Sequence, residues 1–429
     1  MKVHHSKHIH AQMGLSNDRP YFKDFSPEGL PSPCFVVDRA AIRYNLEILS
    51  KVAKDSGATI LAALKAFSFY EVFDLVGKYL SGACASGIHE ARLAREKMNK
   101  EVHVFAPAYK PDEIDELLTL ADHLVFNNLN QWIRYKDKCL SAQKHRPNLS
   151  FGIRINPEHS EGTVPIYDPC APGSRLGITR AQWDKELSDA KANGFSAQEI
   201  LKGISGIHFH TLCEQGSEPL ERTLKAIDNR WGDVLSMKQI TWLNMGGGHH
   251  ITKPDYNRNL LVQLIQSTQQ TYGVQVYLEP GEAVAIHTGI LATQVVDIHV
   301  NQLPIAILDT SATCHMPDTL EMPYTPQVWG AIPKAELTES TNRSNSDPLI
   351  YRLAGQTCLA GDIIADYRFE QHLEPGDWII FDDMAHYTMV KTTTFNGIPL
   401  PALAVYDSGT GASRVIKTFG YEDFVSRLS

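Results

Sequence analysis

Between residues 59 and 279 the chain repeats one unit: a short β-rich apolar run, a Gly or Asn turn, then an amphipathic stretch at helical spacing. The runs fall at 59–65, 83–86, 102–106, 123–127, 149–155, 204–210, 240–245 and 274–279. Eight strands with intervening helices, over the roughly 250 residues such a fold needs, is the count of a (β/α)8 barrel. A doubly wound sheet is the runner-up. It would usually show fewer repeats and a Gly-rich fingerprint after its first strand, which this chain lacks.

Ahead of the repeat, 34–38 reads as a short strand and 39–54 as a helix with apolar residues at helical spacing. Past Gly281 helical periodicity becomes scarce. Runs at 290–300, 305–308, 378–381 and 402–406 sit between Pro and Gly turns, as strands do. The expected organisation is an N-terminal tail over 1–30, a barrel over 31–284 and a β domain over 285–429, with the strand at 34–38 joining the β domain. The polar stretch 336–347 reads as a mobile loop.

A chain of 429 residues exceeds one ordinary domain. Its formal net charge of −9 leaves no basic footprint for nucleic acid. The seven cysteines are scattered without a CxxC pair, which argues against a disulfide framework or a structural zinc site, and no metal is expected. His4, His5, His8 and His10 could bind a metal, but they read more simply as part of the tail. No signal core, transit pattern or ~20-residue apolar span is present, so a cytoplasmic protein without a membrane partner is expected.

In such a barrel the C-terminal ends of the strands face the active site. The first run ends Leu64-Lys65-Ala66. Taken alone, Lys65 fits a strand-end lysine whose ammonium snorkels to solvent. Two later stretches change that. The seventh run is followed by Gly246-Gly247-Gly248 and the eighth ends Glu279-Pro280-Gly281-Glu282. A glycine run lets backbone N–H groups close on a phosphate, and the loops after the last two strands commonly hold one; a plain turn is the alternative. A lysine, a phosphate cradle and a strand-end carboxylate converge on pyridoxal 5′-phosphate, with Glu279 holding the pyridine nitrogen protonated. Glu279 could instead, or in addition, pair with Arg154 at the end of the fifth run. In the sixth run His208 and His210 share one face. His210, nearer the C-terminal end, is expected against the cofactor ring, and His208 is expected to be a satisfied barrel residue.

These residues resemble the fold-type III pyridoxal-phosphate enzymes, the superfamily of alanine racemase and the ornithine and diaminopimelate decarboxylases. The likeness runs from Pro33 to nearly the C-terminus. Leu64-Lys65-Ala66 resembles the superfamily's lysine motif, and Ala85-Ser86 through Glu90 its Ser-x-x-x-Glu segment. His210, Gly246-Gly247-Gly248 and Glu279-Pro280-Gly281 match in order and spacing. Further on, Cys358-Leu359-Ala360-Gly361-Asp362 resembles the decarboxylases' Cys-centred loop, and Tyr387-Thr388 with Thr394-Phe395-Asn396-Gly397 their tail motif.

The departures point to a branch. Glu282 stands where ornithine and diaminopimelate decarboxylases usually place Arg, and Leu359 where they place an acid. Together with Gly173 to Gly177, Thr313 to Asp318 and Leu320-Glu321, these features resemble the carboxynorspermidine/carboxyspermidine decarboxylases. The resemblance implies a homodimer with shared active sites and a cationic carboxylated polyamine as substrate. It implies that Lys65 carries the cofactor and that Cys358, from the partner chain, returns a proton to the substrate carbon. It also implies that Tyr387 contacts the phosphate. Glu282 and Asp318, then Glu321, Asp362 and Glu214, are the candidates for the substrate's amines. Arg175 is a candidate for the departing carboxylate, or equally for the phosphate or a structural acid. A diaminopimelate decarboxylase or a racemase of the same fold, and a non-catalytic regulator, are the alternatives. Glu279 and Cys358 speak against the racemase, and intact Lys65 and Cys358 against the regulator.

Overall fold

A computed structural model describes residues 21–162, 164–337 and 349–429. The histidine-bearing tail and most of the expected loop at 336–347 lie outside the described residues; Lys334–Glu336 itself forms a 3-10 turn. The chain divides into two compact units, 45–284 and the combination of 1–44 with 285–429.

β1 (Cys34–Asp38) precedes the barrel. The barrel strands are β2 (Thr59–Ala63), β3 (Gly82–Ala85), β4 (Glu101–Phe105), β5 (His123–Phe126), β6 (Ser150–Arg154), β7 (Ile204–His208), β8 (Trp242–Asn244) and β9 (Gln275–Leu278). They pair in parallel in chain order, and β9 closes on β2 through Thr59 opposite Tyr277, giving the expected eight-stranded closed barrel. Strands buried on both faces explain the continuous apolar runs, since helices cover one side and barrel side chains fill the other. Leu61, Phe105, Val125, Trp242 and Tyr277 pack together inside. Trp242 occupies room left by a missing side chain, since a Cβ on Gly206 would sit 1.8 Å from its ring. The helix Ser217–Leu235 shows how the outer layer is held: Leu220, Leu224, Ile227, Trp231 and Val234 are buried at helical spacing.

The second unit is built on β10 (Gly289–Asn301), β11 (Leu303–Leu308), β12 (Ala331–Pro333), β13 (Ile350–Ala354), β14 (Ile363–Phe369), β15 (Trp378–Phe381), β16 (Ala402–Asp407) and β17 (Ala412–Lys417). The sheet order is β12-β14-β13-β11-β10-β1-β16-β17, with β15 also on β10. β1 is an interior strand of this sheet, antiparallel to β10 and parallel to β16. β10 is long enough to serve two neighbourhoods. Its first half pairs with β1 and β15 and its second with β11, beyond a register shift between Val295 and Asp297. Among the described residues no helix is long and apolar enough to cross a membrane.

Candidate active site

The hydrogen-bond ladder of the barrel runs past the last residue of β2. The Ala63 N–H donates to the Pro280 carbonyl at 3.0 Å and the Leu64 N–H to the Cys84 carbonyl at 3.1 Å. These bonds deliver Lys65 between the C-terminal ends of β3 and β9. Leu64 and Ala66 are fully buried while Lys65 is exposed at the mouth. Glycine is required next to it, because a Cβ on Gly281 would come within 2.6 Å of the Ala66 Cβ. The Lys65 charge acts on Cys84, Glu90, His210 and Cys213, which places all four around it. Burial raises the Glu90 carboxyl above the usual range, opposed by the Ser86 N–H, which donates to it at 2.6 Å, and by Lys65. Burial and the nearby Glu279 push the Cys84 thiol well up, so it stays protonated.

Glu279 is fixed from both ends. Its N–H donates to the Gly246 carbonyl at 2.8 Å and its Oε1 accepts from the Asn244 amide at 2.7 Å. Oε2 lies 3.5 Å from His208 Nε2. Burial by itself would raise this carboxyl, but His208, then His103 and the Asn244 amide, outweigh it and hold it at about 2. The Asn244 amide and His208 thus favour the charged form of Glu279. His208 corrects an expectation. It is not a satisfied barrel residue, since neither ring nitrogen has a good hydrogen bond, and it sits against the key carboxylate instead. The expected Glu279–Arg154 pair is also not made directly. The buried Arg154 donates to the His210 carbonyl at 3.3 Å and lies 4.5 Å over the Phe105 ring, feeling Glu279 only through space. Burial pulls its guanidinium down to about 10.

His210 accepts the Gly247 N–H on Nδ1 at 2.9 Å, so the proton of the neutral ring is on Nε2. Burial, then Lys65 and Arg154, keep this ring well below its ordinary value. The three glycines are needed for close approach of strand ends. A Cβ on Gly246 would lie 2.6 Å from the Phe209 carbonyl oxygen, on Gly247 2.2 Å from that of Glu279, and on Gly248 1.9 Å from that of Leu212. The Gly246 N–H donates to Asn244 Oδ1 and the Gly247 N–H to His210, which leaves Gly248 as the member of the run whose N–H has no partner among the described residues.

Acids rim this mouth. Glu214 is exposed with φ of 54°, and it and Glu282 both act on Cys213, as Lys65 does. Glu282 lies 3.2 Å from Nε2 of the buried His250. Sequence reasoning passed over Asn244, His249 and His250, although the His-His pair directly after the glycine run was a legible signal. Arg175 is exposed, its carbonyl held by the Asn127 amide at 2.8 Å and its charge repelling Arg154.

In the other unit three sequence motifs meet. The Cys358 N–H donates to Asn396 Oδ1 at 2.8 Å, tying the Cys358 loop to the tail motif, and the Thr393 N–H donates to the Cys314 carbonyl at 2.8 Å. Cys358 itself is exposed. Three of the acids have occupations inside this unit. Asp362 is buried and accepts from Ser311, Thr357 and the Thr313 N–H, organising the base of the Cys358 loop. Asp318 and Glu321 both bind Lys391, Glu321 at 3.0 Å. Tyr387 is half-buried with φ of 52°. It follows His386, whose Nε2 lies 3.2 Å from Asp383, an acid that also accepts the His287 N–H at 2.6 Å.

Residues 34–385 match the family described as pyridoxal-dependent decarboxylase, C-terminal sheet domain. The chain belongs to the pyridoxal-dependent decarboxylases. Among relatives of this decarboxylase, the carboxynorspermidine/carboxyspermidine decarboxylase of Campylobacter jejuni is 42% identical over 401 residues, covering 93% of this chain and 99% of the relative. The carboxyaminopropylagmatine decarboxylase of Synechocystis is 41% identical over 401 residues, covering 93% and 96%. The crystal structure of Campylobacter jejuni carboxynorspermidine decarboxylase complexed with norspermidine aligns with a TM-score of 0.79 at 40% identity, over 93% of this chain and all of that one. The decarboxylase is a lyase that uses pyridoxal 5′-phosphate. Its barrel mouth fits that group: the exposed Lys65 amine stands there, and Arg154 Nε and His208 Nδ1 are buried polar atoms with no hydrogen-bond partner among the described residues.

Proposed function

We propose that this decarboxylase removes CO2 from carboxynorspermidine or carboxyspermidine in polyamine biosynthesis, leaving norspermidine or spermidine. The carrying observation is the acidic rim of Glu282 and Glu214 sharing the barrel mouth with Lys65. An anion directly after the cofactor carboxylate attracts a substrate's distal amine and repels a distal carboxylate. Asp318 and Glu321 already face a lysine and Asp362 is hydrogen-bonded internally, so the amine contacts fall first to Glu282 and then to Glu214. The Campylobacter jejuni relative and the norspermidine in its related crystal structure support the same substrate class.

Bound pyridoxal 5′-phosphate supplies a ring that accepts the electron pair left when CO2 departs. The protein's residues do the rest. Lys65 would anchor the cofactor through its amine. Glu279 would keep a proton on the ring nitrogen, His210 would face the ring, Gly248 would hold the phosphate, and Tyr387 would be a further phosphate contact. Arg154 supports the mouth and Arg175 receives the substrate carboxylate. Cys358 of a second chain in a homodimer gives the substrate carbon its proton, so that one carboxyl leaves as CO2 and one hydrogen replaces it.

Replacing Glu279 by Gln keeps an acceptor for the Asn244 amide but removes the charge. Steady-state assays should show kcat lower by on the order of 10²–10³, the usual loss for one preorganised electrostatic contact. A loss below tenfold would remove Glu279 from this role. Glu282→Gln should lower kcat/KM roughly 10–100-fold, mainly through KM, since a charged hydrogen bond to the substrate is lost.

Carboxyaminopropylagmatine is the second reading, because the Synechocystis relative is 41% identical over the same length. CO2 release from that compound, both carboxylated triamines and meso-diaminopimelate, measured side by side, separates the readings. Preference for meso-diaminopimelate would overturn the proposal.

A further inference from the structure

We infer that Glu101, His103 and His123 form a binding site for one divalent transition-metal ion at the floor of the barrel, at the N-terminal ends of β4 and β5. His103 and His123 are register partners on these neighbouring strands, and Glu101 lies two residues before His103 on the same face. Both imidazoles turn their Nε2 atoms to one carboxylate oxygen, His103 at 2.8 Å and His123 at 3.7 Å from Glu101 Oε1, and one ligand atom from each of the three residues lies within 4.8 Å of the others. A tetrahedral ion with bonds of about 2.0–2.1 Å sets its donors roughly 3.3 Å apart, so binding would draw the three ligand atoms together and turn the imidazoles out of their stack.

Two imidazoles and a carboxylate are borderline donors that suit Zn2+, Co2+ or Ni2+. The floor is also poised to receive a cation. The rings are stacked with centroids 3.9 Å apart and 17° between planes, packed against Trp242 and Tyr277. Tyr277 lies close enough for the Glu101 carboxylate to act on its hydroxyl, the place of an outer-shell partner. Simple aromatic packing would fill the same volume with carbon. It would not need two buried histidines whose Nε2 atoms face one acid. The Glu101 side chain is 27% exposed, which gives an ion an entry path and a water as its fourth ligand. This end of a (β/α)8 barrel is the one that governs stability, so the ion's role there is structural.

The test uses the full-length holoenzyme with His4, His5, His8 and His10 all changed to Ala, so that tail binding does not count. Titration with Co2+ should give one equivalent with the visible ligand-field bands of a four-coordinate site, and Zn2+ should raise the melting temperature. Glu101→Gln, which keeps the Tyr277 contact, and His123→Phe, which keeps the stack, should each weaken binding by at least ~10–100-fold while kcat stays unchanged. Absence of saturable binding, or equal binding in both variants, would show that the histidines only pack.

Discussion

Replacing Lys65 by alanine should lower kcat by on the order of 10⁴ or more, at or beyond the upper end of what one positioned proton-transfer group contributes, because the anchor of the cofactor is lost as well. The fold should survive. The bonds that shape this strand end come from the backbone of Ala63 and Leu64, and the Lys65 side chain is exposed. Melting should therefore shift by no more than the ~0.5 kcal/mol typical of surface changes. Borohydride reduction of the wild-type holoenzyme should leave the cofactor on the tryptic peptide that contains Lys65. A label elsewhere, or a variant retaining more than a tenth of the wild-type kcat, would sink the assignment.

Cys358→Ala should cost on the order of 10²–10⁴ in kcat, or release CO2 without an equal yield of polyamine, because the proton donor is missing. The loop needs no thiol to keep its shape. The Cys358 N–H is held by Asn396, and Asp362 anchors the loop base through Ser311 and Thr357. KM should change little. The shared-site proposal adds a sharper result: inactive Lys65→Ala and inactive Cys358→Ala chains, mixed and allowed to exchange, should regain about a quarter of wild-type activity. Half of the dimers are then mixed, and each carries one intact site. No recovery on mixing would mean that each chain supplies its own donor.

The acids are where sequence reasoning met its limit. Asp318 and Glu321 stand in segments that resemble a polyamine-handling branch, yet their partner Lys391 lies 73 and 70 residues away in the chain. Nothing local to an Asp announces a lysine that distant. Asp362 looked like a loop acid, and folding buries it among hydroxyls and N–H groups drawn from two segments.

The sequence by itself determined the eight-unit barrel, the cofactor and the order of the motifs along the chain. Apolar period, the Gly246-Gly247-Gly248 run and a strand-end Lys65 are properties of contiguous residues, and strand direction alone tells which end of the barrel they face. Tertiary structure alone decided that Glu279 is held by Asn244 and His208 rather than by Arg154, that Glu282 has His250 beside it, and that Glu101, His103 and His123 converge on one point. Those pairings depend on strand register and barrel closure, which set neighbours across strands and leave no mark on the spacing along any one of them.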